Sequence, residues 1–187
     1  MTVQRHVAVI VGSLRRASFS RRVANALYGL APASLSLGQV GIADLPLYDQ
    51  DADDDGAPPS PWLAFRDAVR PADAVLFVTP EYNRSVPGVL KNAIDVGSRP
   101  YGQSVWSGKP AAVVSVSPGA LGGFGANHHL RQSLVFLDMP ILQQPEAYVG
   151  QAATLFGPDG GVANDGTRAF LTTFMAKFAT WIEEILD

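Results

Sequence analysis

Two kinds of hydrophobic pattern alternate along the chain, and each predicts a different element of secondary structure. Short, continuous apolar runs such as residues 6–11 are typical of strands that are buried on both faces. Longer segments such as residues 19–30 repeat apolar residues every three or four positions, which predicts helices. By the same patterns, further strands are predicted at residues 34–42, 73–79, 111–116 and 140–149, and further helices at residues 61–70, 86–97, 127–138 and 167–186.

The order of these elements predicts the fold class. Strands that alternate with helices form a parallel sheet whose two faces are both covered by helices. Five strands and five helices fit the flavodoxin-like α/β fold, a three-layer sandwich whose sheet has the strand order 2-1-3-4-5. The chain shows no internal repeat and no linker, so residues 1–187 are expected to form one domain.

One long connection separates the second predicted strand from the next predicted helix. Residues 43–61 are polar and rich in Asp, Pro and Gly, with the acidic run DQDADDD at residues 49–55. This composition predicts a surface loop whose acidic side chains are exposed to water.

Composition and charge exclude several classes of function. The chain of 187 residues has 14 basic and 17 acidic residues, and its net charge of -3 provides no attraction to nucleic acid or to an anionic membrane. It has no cysteine, which excludes disulfides, thiol catalysis, cysteine-ligated zinc and protein-bound iron–sulfur clusters. The first apolar run has no small-residue cleavage site after it, and no apolar run reaches the roughly 18 residues of a membrane span. We therefore expect a cytoplasmic protein.

Three unusual loops are expected to meet at one edge of the sheet. They follow the first, third and fourth predicted strands and cover residues 12–20, 80–85 and 117–125; we call them the first, second and third loops. In a doubly wound sheet, ligands bind beyond the carboxyl ends of the strands, where the winding direction reverses. The three loops lie at that place and are therefore the candidates for a binding site.

The first loop, GSLRRASFS, is typical of an anion-binding site. It matches neither the GxGxxG pattern of dinucleotide sites nor the GxxxxGK[ST] pattern of nucleoside triphosphate sites. It leads into a helix N-terminus, whose free N–H groups favour an anion. The hydroxyls of Ser13, Ser18 and Ser20 can donate hydrogen bonds to phosphate oxygens, and Arg15 can add a charge-assisted contact. Alternatively, Ser18 or Ser20 only caps the helix and the arginines lie on the surface.

The other two loops leave more than one interpretation open. In the second loop, Glu81, Tyr82 and Asn83 either line a flat aromatic ligand or form an ordinary turn. Ser85 is expected to cap the helix that follows. The glycines of the third loop either let the backbone approach a ligand, in a mobile segment, or serve only a tight turn.

Three further residues are given structural interpretations. His128 and His129 are adjacent, so on a helix they point in different directions and cannot form the i, i+4 pair of a metal site. No metal site is therefore expected. Lys91 is interpreted as a solvated helix residue.

The chain contains no G-x-S-x-G motif, which argues against a serine hydrolase.

Taken together, three segments resemble one known family. GSLRRASFS, PEYNRSVPGVLKNAID and the glycine-rich loop after VVSVS resemble the NADPH-dependent FMN reductases, and most of all the soluble chromate and quinone reductases among them, over nearly the whole chain. Val96, where the family often has Trp, departs from this pattern, and Arg84 occupies a variable position. The resemblance implies that the first loop binds the FMN phosphate and that the other two border the isoalloxazine ring, with these cofactor-binding residues: Ser13, Leu14, Arg15, Ser18, Phe19, Ser20, Pro80, Glu81, Tyr82, Asn83, Ser117 and Gly119.

The resemblance also implies an activity and an assembly. Hydride would pass from NAD(P)H through bound FMN to a quinone, an azo compound, chromate or free flavin, in a ping-pong mechanism that needs no catalytic side chain. Members of the family are commonly dimers or tetramers, so a homodimer or homotetramer is expected here. In agreement, several apolar residues lie on more than one face of the predicted helix at residues 127–138: Leu130, Leu134, Val135 and Leu137.

One alternative keeps the fold and the cofactor but changes the function. A flavodoxin-type carrier would pass one electron at a time to a protein partner. Such carriers are usually strongly acidic, because charge steers them to their partners. A net charge of -3 argues against this alternative.

Overall fold

A computed structural model describes residues 3–157 and 160–187, and a single parallel sheet lies at its centre. The five strands of this sheet are β1 (Arg5–Val11), β2 (Leu35–Gln39), β3 (Ala74–Pro80), β4 (Ala111–Val116) and β5 (Ala147–Val149). Their order is β2-β1-β3-β4-β5, and every neighbouring pair is parallel. The predicted flavodoxin-like fold class is confirmed.

Helices cover both faces of the sheet. They are α1 (Phe19–Leu30), α2 (Gln50–Asp54), α3 (Ser60–Val69), α4 (Gly88–Gly97), α5 (Phe124–Phe136) and α6 (Asp165–Leu186). Successive residues of a strand point to opposite faces, so Val9 packs into the core with α1 and α6, whereas Ile10 packs into the core with α3, α4 and α5. Because both faces are covered, the central strands are mostly apolar.

The register of the strands brings the three loops to the same level. β1 and β3 pair Val11 with Val78, and β3 and β4 pair Pro80 with Val116. The last residues of these three adjacent strands therefore lie at one edge of the sheet, which we call the carboxyl edge. The first, second and third loops leave the sheet at this edge, as the sequence predicts.

Some elements begin or end away from their predicted bounds. α6 begins earlier than predicted, because the Asn164 side chain caps it and accepts a hydrogen bond of 2.8 Å from the Thr167 N–H. α5 also begins earlier, because a side chain of the second loop caps it, as described below. Residues 140–149 contain the fifth strand as predicted: Ile141 forms an isolated bridge with Ala111, and the strand itself is β5.

The prediction that the acidic run is wholly exposed to water is wrong. α2 lies inside the run, and the Asp53 side chain is only 2% exposed. Its two oxygens accept hydrogen bonds of 2.8 and 2.7 Å from the Arg66 guanidinium of α3, whose Nε donates to the Val96 carbonyl at 2.9 Å. A carboxylate is buried only where it is paired, and its partner here lies outside the run, where local composition does not show it.

A second contact fixes the connection between β2 and α3 to helix α4. The Asn92 side chain accepts a hydrogen bond of 2.8 Å from the Tyr48 N–H and donates to the carbonyls of Leu45 and Pro46 at 3.3 and 2.9 Å. One side-chain amide thus satisfies three backbone groups of a segment that has little regular structure of its own. The connection is therefore held against the layer formed by α3 and α4.

Asp53→Asn should lower the free energy of unfolding by about 3 kcal/mol, because Arg66 would keep a buried charge without its counter-charge. Urea denaturation followed by circular dichroism measures this change. Asp55→Asn is the matched control: Asp55 is exposed in the same run, and its substitution should change the stability by less than about 0.5 kcal/mol. Equal stability of the two variants would contradict a structural role for the buried ion pair.

The same ion pair predicts how stability depends on pH. The hydrogen bonds from Arg66 hold the pKa of Asp53 below its ordinary value. A carboxyl group whose pKa is lowered by folding stabilises the protein above its unfolded pKa of about 4, and this stabilisation is lost as the pH falls through the folded pKa. The stability difference between the unmodified protein and Asp53→Asn should therefore shrink as the pH falls below about 4.

Candidate functional site

Close packing between glycines and neighbouring loops shows that the three loops form one site. A Cβ atom on Gly12, at the start of the first loop, would lie 3.0 Å from Thr79 Oγ1 and 3.4 Å from Pro80 Cδ. A Cβ atom on Gly125, at the end of the third loop, would lie 2.8 Å from the carbonyl oxygen of Arg84. The second loop therefore contacts both of the others, and the three predicted loops converge at the carboxyl edge.

The first loop holds three buried serines, and in the described part of the chain only Ser18 makes a side-chain hydrogen bond. Ser18 is the N-cap of α1, and its hydroxyl accepts a hydrogen bond of 3.2 Å from the Arg21 N–H, which confirms the capping interpretation for this residue. Ser13 and Ser20 are also buried, and their hydroxyls have no hydrogen-bond partner among residues 3–157 and 160–187. The oxygens of these two hydroxyls are not among the buried unpaired atoms of the described chain, so they are accessible and free to donate. Two free hydroxyls beside a helix N-terminus fit an anionic ligand.

Charged and apolar residues alternate with these serines along the first loop. Arg15 and Leu14 are exposed, and the Arg15 guanidinium carbon lies 5.9 Å from the centre of the Phe19 ring. Arg21 was not predicted to be a site residue, yet its Nε atom is buried and has no hydrogen-bond partner in the described part of the chain. Its position in the first turn of α1 was the available signal, since guanidinium groups there lie close to an anion bound at the helix N-terminus.

The second loop is a tight hairpin that directly follows β3. The N–H of Tyr82 donates to the carbonyl of Ser85 and the N–H of Ser85 donates to the carbonyl of Tyr82, both at 3.0 Å. The two residues between them, Asn83 and Arg84, have positive φ angles of 51° and 65°. The Tyr82 side chain is 48% exposed. The loop is therefore both an ordered turn and an exposed aromatic surface beside the first loop.

The expectation that Ser85 caps α4 is wrong. The N-cap of that helix is Pro87, which provides no side-chain hydrogen bond. The Ser85 hydroxyl lies 3.0 Å from His129 Nδ1 on α5 instead. The hairpin uses the backbone groups of Ser85 and turns its side chain towards the neighbouring helix, so it is not available to the start of α4.

Glu81 joins the second loop to the third. Its Oε2 accepts a hydrogen bond of 3.0 Å from the Ala126 N–H in the first turn of α5. The N-cap of that helix, Gly123, has no side chain with which to accept this hydrogen bond. Glu81 Oε1 lies 3.6 Å from Arg84 Nη1. A carboxylate is favourable at a helix N-terminus, so this side chain has a structural role within the site.

The glycines of the third loop are required by its backbone conformation. Gly122 and Gly123 have positive φ angles of 59° and 78°. A Cβ atom on Gly122 would lie 2.6 Å from the carbonyl carbon of Tyr148. The Ser117 hydroxyl accepts a hydrogen bond of 3.1 Å from the Gly119 N–H, which closes the start of the loop. These contacts support the interpretation of the glycines as residues of a tight turn.

An aromatic cluster beside the third loop was missed by reasoning from the sequence. The ring centres of Phe124 and His128 are 4.3 Å apart, and His128 Nε2 lies 2.9 Å from the Tyr148 hydroxyl. Burial first, and then the hydrogen bond to Glu146, raises the pKa of Tyr148 to about 12, so this hydroxyl stays protonated near neutral pH. Phe124 and His128 are one turn apart on α5, whereas Tyr148 lies on β5, and only the fold brings it to them.

The two adjacent histidines point apart, as predicted. His128 contacts Tyr148 and His129 contacts Ser85. Over residues 3–157 and 160–187, no three histidine or acidic side chains come together as a possible metal site. Lys91 is exposed and pairs with Asp95 at 2.8 Å on the same helix.

These features define the class of protein. Two unpaired hydroxyls and a guanidinium at a helix N-terminus suit a single terminal phosphate, and the exposed ring of Tyr82 suits a flat aromatic group beside it. The first loop lacks both polyphosphate motifs, and the site lies where doubly wound folds bind their ligands. The donors present therefore fit FMN, and the class is that of the flavodoxin-like FMN proteins.

Comparison with known proteins agrees. The chain belongs to the NADPH-dependent FMN reductase family, whose family model matches residues 5–154. It is 68% identical to a quinone reductase of Pseudomonas putida over 95% of this chain and 94% of the relative. It is 48% identical to a 2-hydroxy-1,4-benzoquinone reductase of a Burkholderia species, over 95% of this chain and 96% of the relative.

A solved structure extends this agreement to the three-dimensional fold. The flavoenzyme NAD(P)H:(acceptor) oxidoreductase FerB from Paracoccus denitrificans is 42% identical and superimposes with a TM-score of 0.89, over 96% of this chain and 98% of FerB. The chain is therefore an oxidoreductase that uses FMN as its cofactor, NAD(P)H as its electron donor and a small molecule as its acceptor. Within the described residues, no helix is both long and apolar enough to cross a membrane.

Arg15→Ala should weaken FMN binding by about 1.5–3 kcal/mol, the usual range for a hydrogen bond to a charged group. Arg15 is exposed in the same loop as the three serines and has no hydrogen-bond partner in the described chain, so its guanidinium is free to turn towards a phosphate. Arg16→Ala removes the same charge from the next position and should have a much smaller effect. Fluorescence titration of the apoprotein with FMN measures both affinities. An unchanged affinity in both variants would contradict the assignment of the first loop to the phosphate.

Proposed function

We propose that this enzyme is an NAD(P)H:quinone oxidoreductase in which donor and acceptor bind in turn at the same exposed surface. The observation that carries the proposal is the position of the second loop, which contacts both other loops and ends in the exposed Tyr82–Ser85 hairpin. The identity of 68% to a quinone reductase supports quinones as the acceptors, before azo compounds, chromate or free flavin.

The residues of the first loop would hold the phosphate of FMN. Ser13 and Ser20 would donate their unpaired hydroxyls, and Arg15 would add a charge-assisted hydrogen bond. Ser18 would keep the helix N-terminus ordered, since its hydroxyl already caps α1. The side chains of Leu14 and Phe19 would cover the part of FMN that joins the phosphate to the ring.

The second and third loops would hold the ring of FMN. Pro80, Tyr82 and Asn83 would border one side of the ring, with Glu81 keeping the hairpin in place through its contact with α5. Ser117 and Gly119 would border the other side. When bound, FMN accepts hydride from NAD(P)H and supplies two electrons to the acceptor.

The protein has no need of a catalytic acid or base in this scheme. Its residues bind and orient the cofactor, and the hairpin leaves one surface open to substrates. Because donor and acceptor would use that one surface, the first product has to leave before the acceptor binds.

We propose that residues 1–187 form a single FMN-binding domain, of which residues 1–2 and 158–159 lie outside the described part. That the enzyme acts in the cytoplasm stays a prediction.

Steady-state kinetics with NADH or NADPH and a quinone should give parallel double-reciprocal lines, because the two substrates would not be bound together. Each substrate should also inhibit competitively at high concentration. The quinone should be converted to the hydroquinone with little one-electron product. Intersecting lines would show that both substrates bind at once and would overturn the shared surface.

The spectrum of the purified protein tests the enzyme against the flavodoxin-type carrier. The protein should purify yellow or bind added FMN more tightly than FAD, and NADPH or NADH should bleach the visible absorbance. Failure of both nucleotides to bleach bound FMN would overturn the proposal and favour the one-electron carrier.

We also propose that the enzyme is a homo-oligomer in which a second copy covers the groove between α4 and α5. The groove has a volume of about 810 Å³ and is lined by Lys91 and Asp95 of α4 and by His129 and Phe136 of α5. Phe136 is 83% exposed. A groove that carries a positive and a negative side chain beside an apolar one can pair with the same groove of a second copy across a two-fold axis.

The apolar residues expected at this interface divide into two groups. Leu130 and Leu134 are fully buried under α5, so they belong to the core of this chain. Val135 is exposed, and Leu137 lines the groove. The second pair supports the proposed interface, whereas the first pair does not bear on it.

Phe136→Asp should convert the oligomer to a smaller species, because a carboxylate would be buried at the interface. Light scattering at micromolar concentration should give at least twice the chain mass for the unmodified protein and a lower mass for this variant. Ile185→Asp on α6, across the sheet from α5, is the control and should keep the larger mass. A monomeric unmodified protein would overturn the oligomer, and an oligomeric Phe136→Asp protein would overturn the interface.

A further inference from the structure

The hairpin of the second loop carries a positively charged residue in an unfavourable backbone conformation. Arg84 has a φ angle of 65°, and Asn83 before it has a φ angle of 51°. A two-residue hairpin with positive φ at both positions prefers Asn followed by Gly, because a side chain at the second position is crowded by its own backbone. Local structure therefore favours glycine where this chain has arginine. Unfavourable conformations of this kind are concentrated at functional sites.

The backbone of Arg84 is fixed, whereas its side chain is not. Hydrogen bonds of 3.0 Å between Tyr82 and Ser85 close the hairpin on either side of it, and its carbonyl oxygen packs against Gly125. The side chain is 75% exposed, and its partner is Glu81 at a distance of 3.6 Å. Glu81 already accepts a hydrogen bond from the Ala126 N–H. Most of the guanidinium N–H groups are therefore available to a ligand at the carboxyl edge.

We propose that Arg84 selects electron acceptors that carry an ionised oxygen, and hydroxyquinones above all. This inference rests on the proposed function, because it concerns the acceptor of that same site. A hydroxyl group on a quinone ring is a vinylogous carboxylic acid, so it is ionised at neutral pH and presents an oxyanion that an unsubstituted quinone lacks. A guanidinium binds an oxyanion by charge-assisted hydrogen bonds, which are stronger than those to a neutral carbonyl.

The reaction itself is the balanced two-electron reduction of the quinone. NAD(P)H gives up a hydride and becomes NAD(P)⁺, the solvent gives one proton, and the two carbonyl groups of the quinone become the two hydroxyl groups of the hydroquinone. Arg84 takes no part in the transfer of hydride or proton. It binds the additional oxygen of the acceptor and is therefore a specificity residue.

The test compares two acceptors of nearly equal size in the FMN-loaded enzyme. With 2-hydroxy-1,4-benzoquinone as acceptor, Arg84→Ala should lower kcat/KM by about 10- to 100-fold, as expected for the loss of a hydrogen bond to a charged group. With 1,4-benzoquinone, the same variant should change kcat/KM by less than about threefold, since no charged group is lost to a neutral acceptor. An equal loss with both acceptors, or no loss with either, would overturn the proposal.

Two further variants separate the charge from the turn. Arg84→Gly suits the positive φ angle and should keep the hairpin, so the loss of preference for the hydroxyquinone should match that of Arg84→Ala. Arg84→Lys keeps the charge without the two-pronged geometry and should give an intermediate preference. If Arg84→Gly retained the preference of the unmodified enzyme, the charge would not be its cause.

Arg70→Ala is the matched control. Arg70 follows the last residue of α3 and is exposed just before β3 begins, at the opposite edge of the sheet, so its loss removes one charge without touching the site. The ratio of the two kcat/KM values should not change in this variant. The ratio of kcat/KM for NADPH and NADH should also be unaffected by Arg84→Ala. If Arg84→Ala changed only the ratio of kcat/KM for NADPH and NADH, Arg84 would be assigned to the nucleotide phosphate and the proposal would be overturned.

Failure of this proposal and failure of the proposed function have different outcomes. If the unmodified enzyme reduces neither quinone with NADH or NADPH, the quinone oxidoreductase assignment fails. If it reduces both and Arg84→Ala leaves their ratio unchanged, only the role of Arg84 fails.

Discussion

The Glu81 carboxylate caps a helix to which it does not belong, and the shape of the carboxyl edge depends on that contact. α5 starts after Gly123, whose left-handed backbone lies close to β4 but leaves the helix without a side-chain cap. Glu81 reaches across from the second loop and accepts the hydrogen bond of Ala126. Because the cap and the helix belong to different loops, neither loop can move without breaking a favourable interaction between a carboxylate and a helix N-terminus.

A similar division of roles is found among the serines of the first loop. Ser18 orders the start of α1, which leaves the hydroxyls of Ser13 and Ser20 without a partner at a helix end that is already formed. A loop that wraps a polyphosphate needs several glycine N–H groups and a lysine. A single terminal phosphate needs fewer donors, and the hydroxyls of largely buried serines lose little conformational freedom when they bind it.

The sheet and the position of the site could be predicted because they depend on local pattern and general topology. β1, β3 and β4 are buried on both faces, so their apolar runs are conspicuous, and the parallel order then fixes which loops share an edge. The pairing of Asp53 with Arg66 could not be predicted in this way, since it joins two elements through side chains that are ordinary surface residues in most sequences. Ser85 precedes a proline and a helix, which is the pattern of a cap, but the hairpin directs it to His129 instead.

The three hydrogen bonds of Asn92 have a consequence for the order in which the chain assembles. They join residues that are 44 to 47 positions apart, and the chain between them contains α2, α3 and β3. Residues 45–48 belong to no helix or strand, and Trp62 of α3 also holds them, because its Nε1 donates a hydrogen bond of 3.0 Å to the Pro46 carbonyl. Ordering these residues costs conformational entropy that is recovered only when their partners on α3 and α4 are in place. We therefore expect residues 45–48 to be ordered only after α3 and α4 have docked on the sheet.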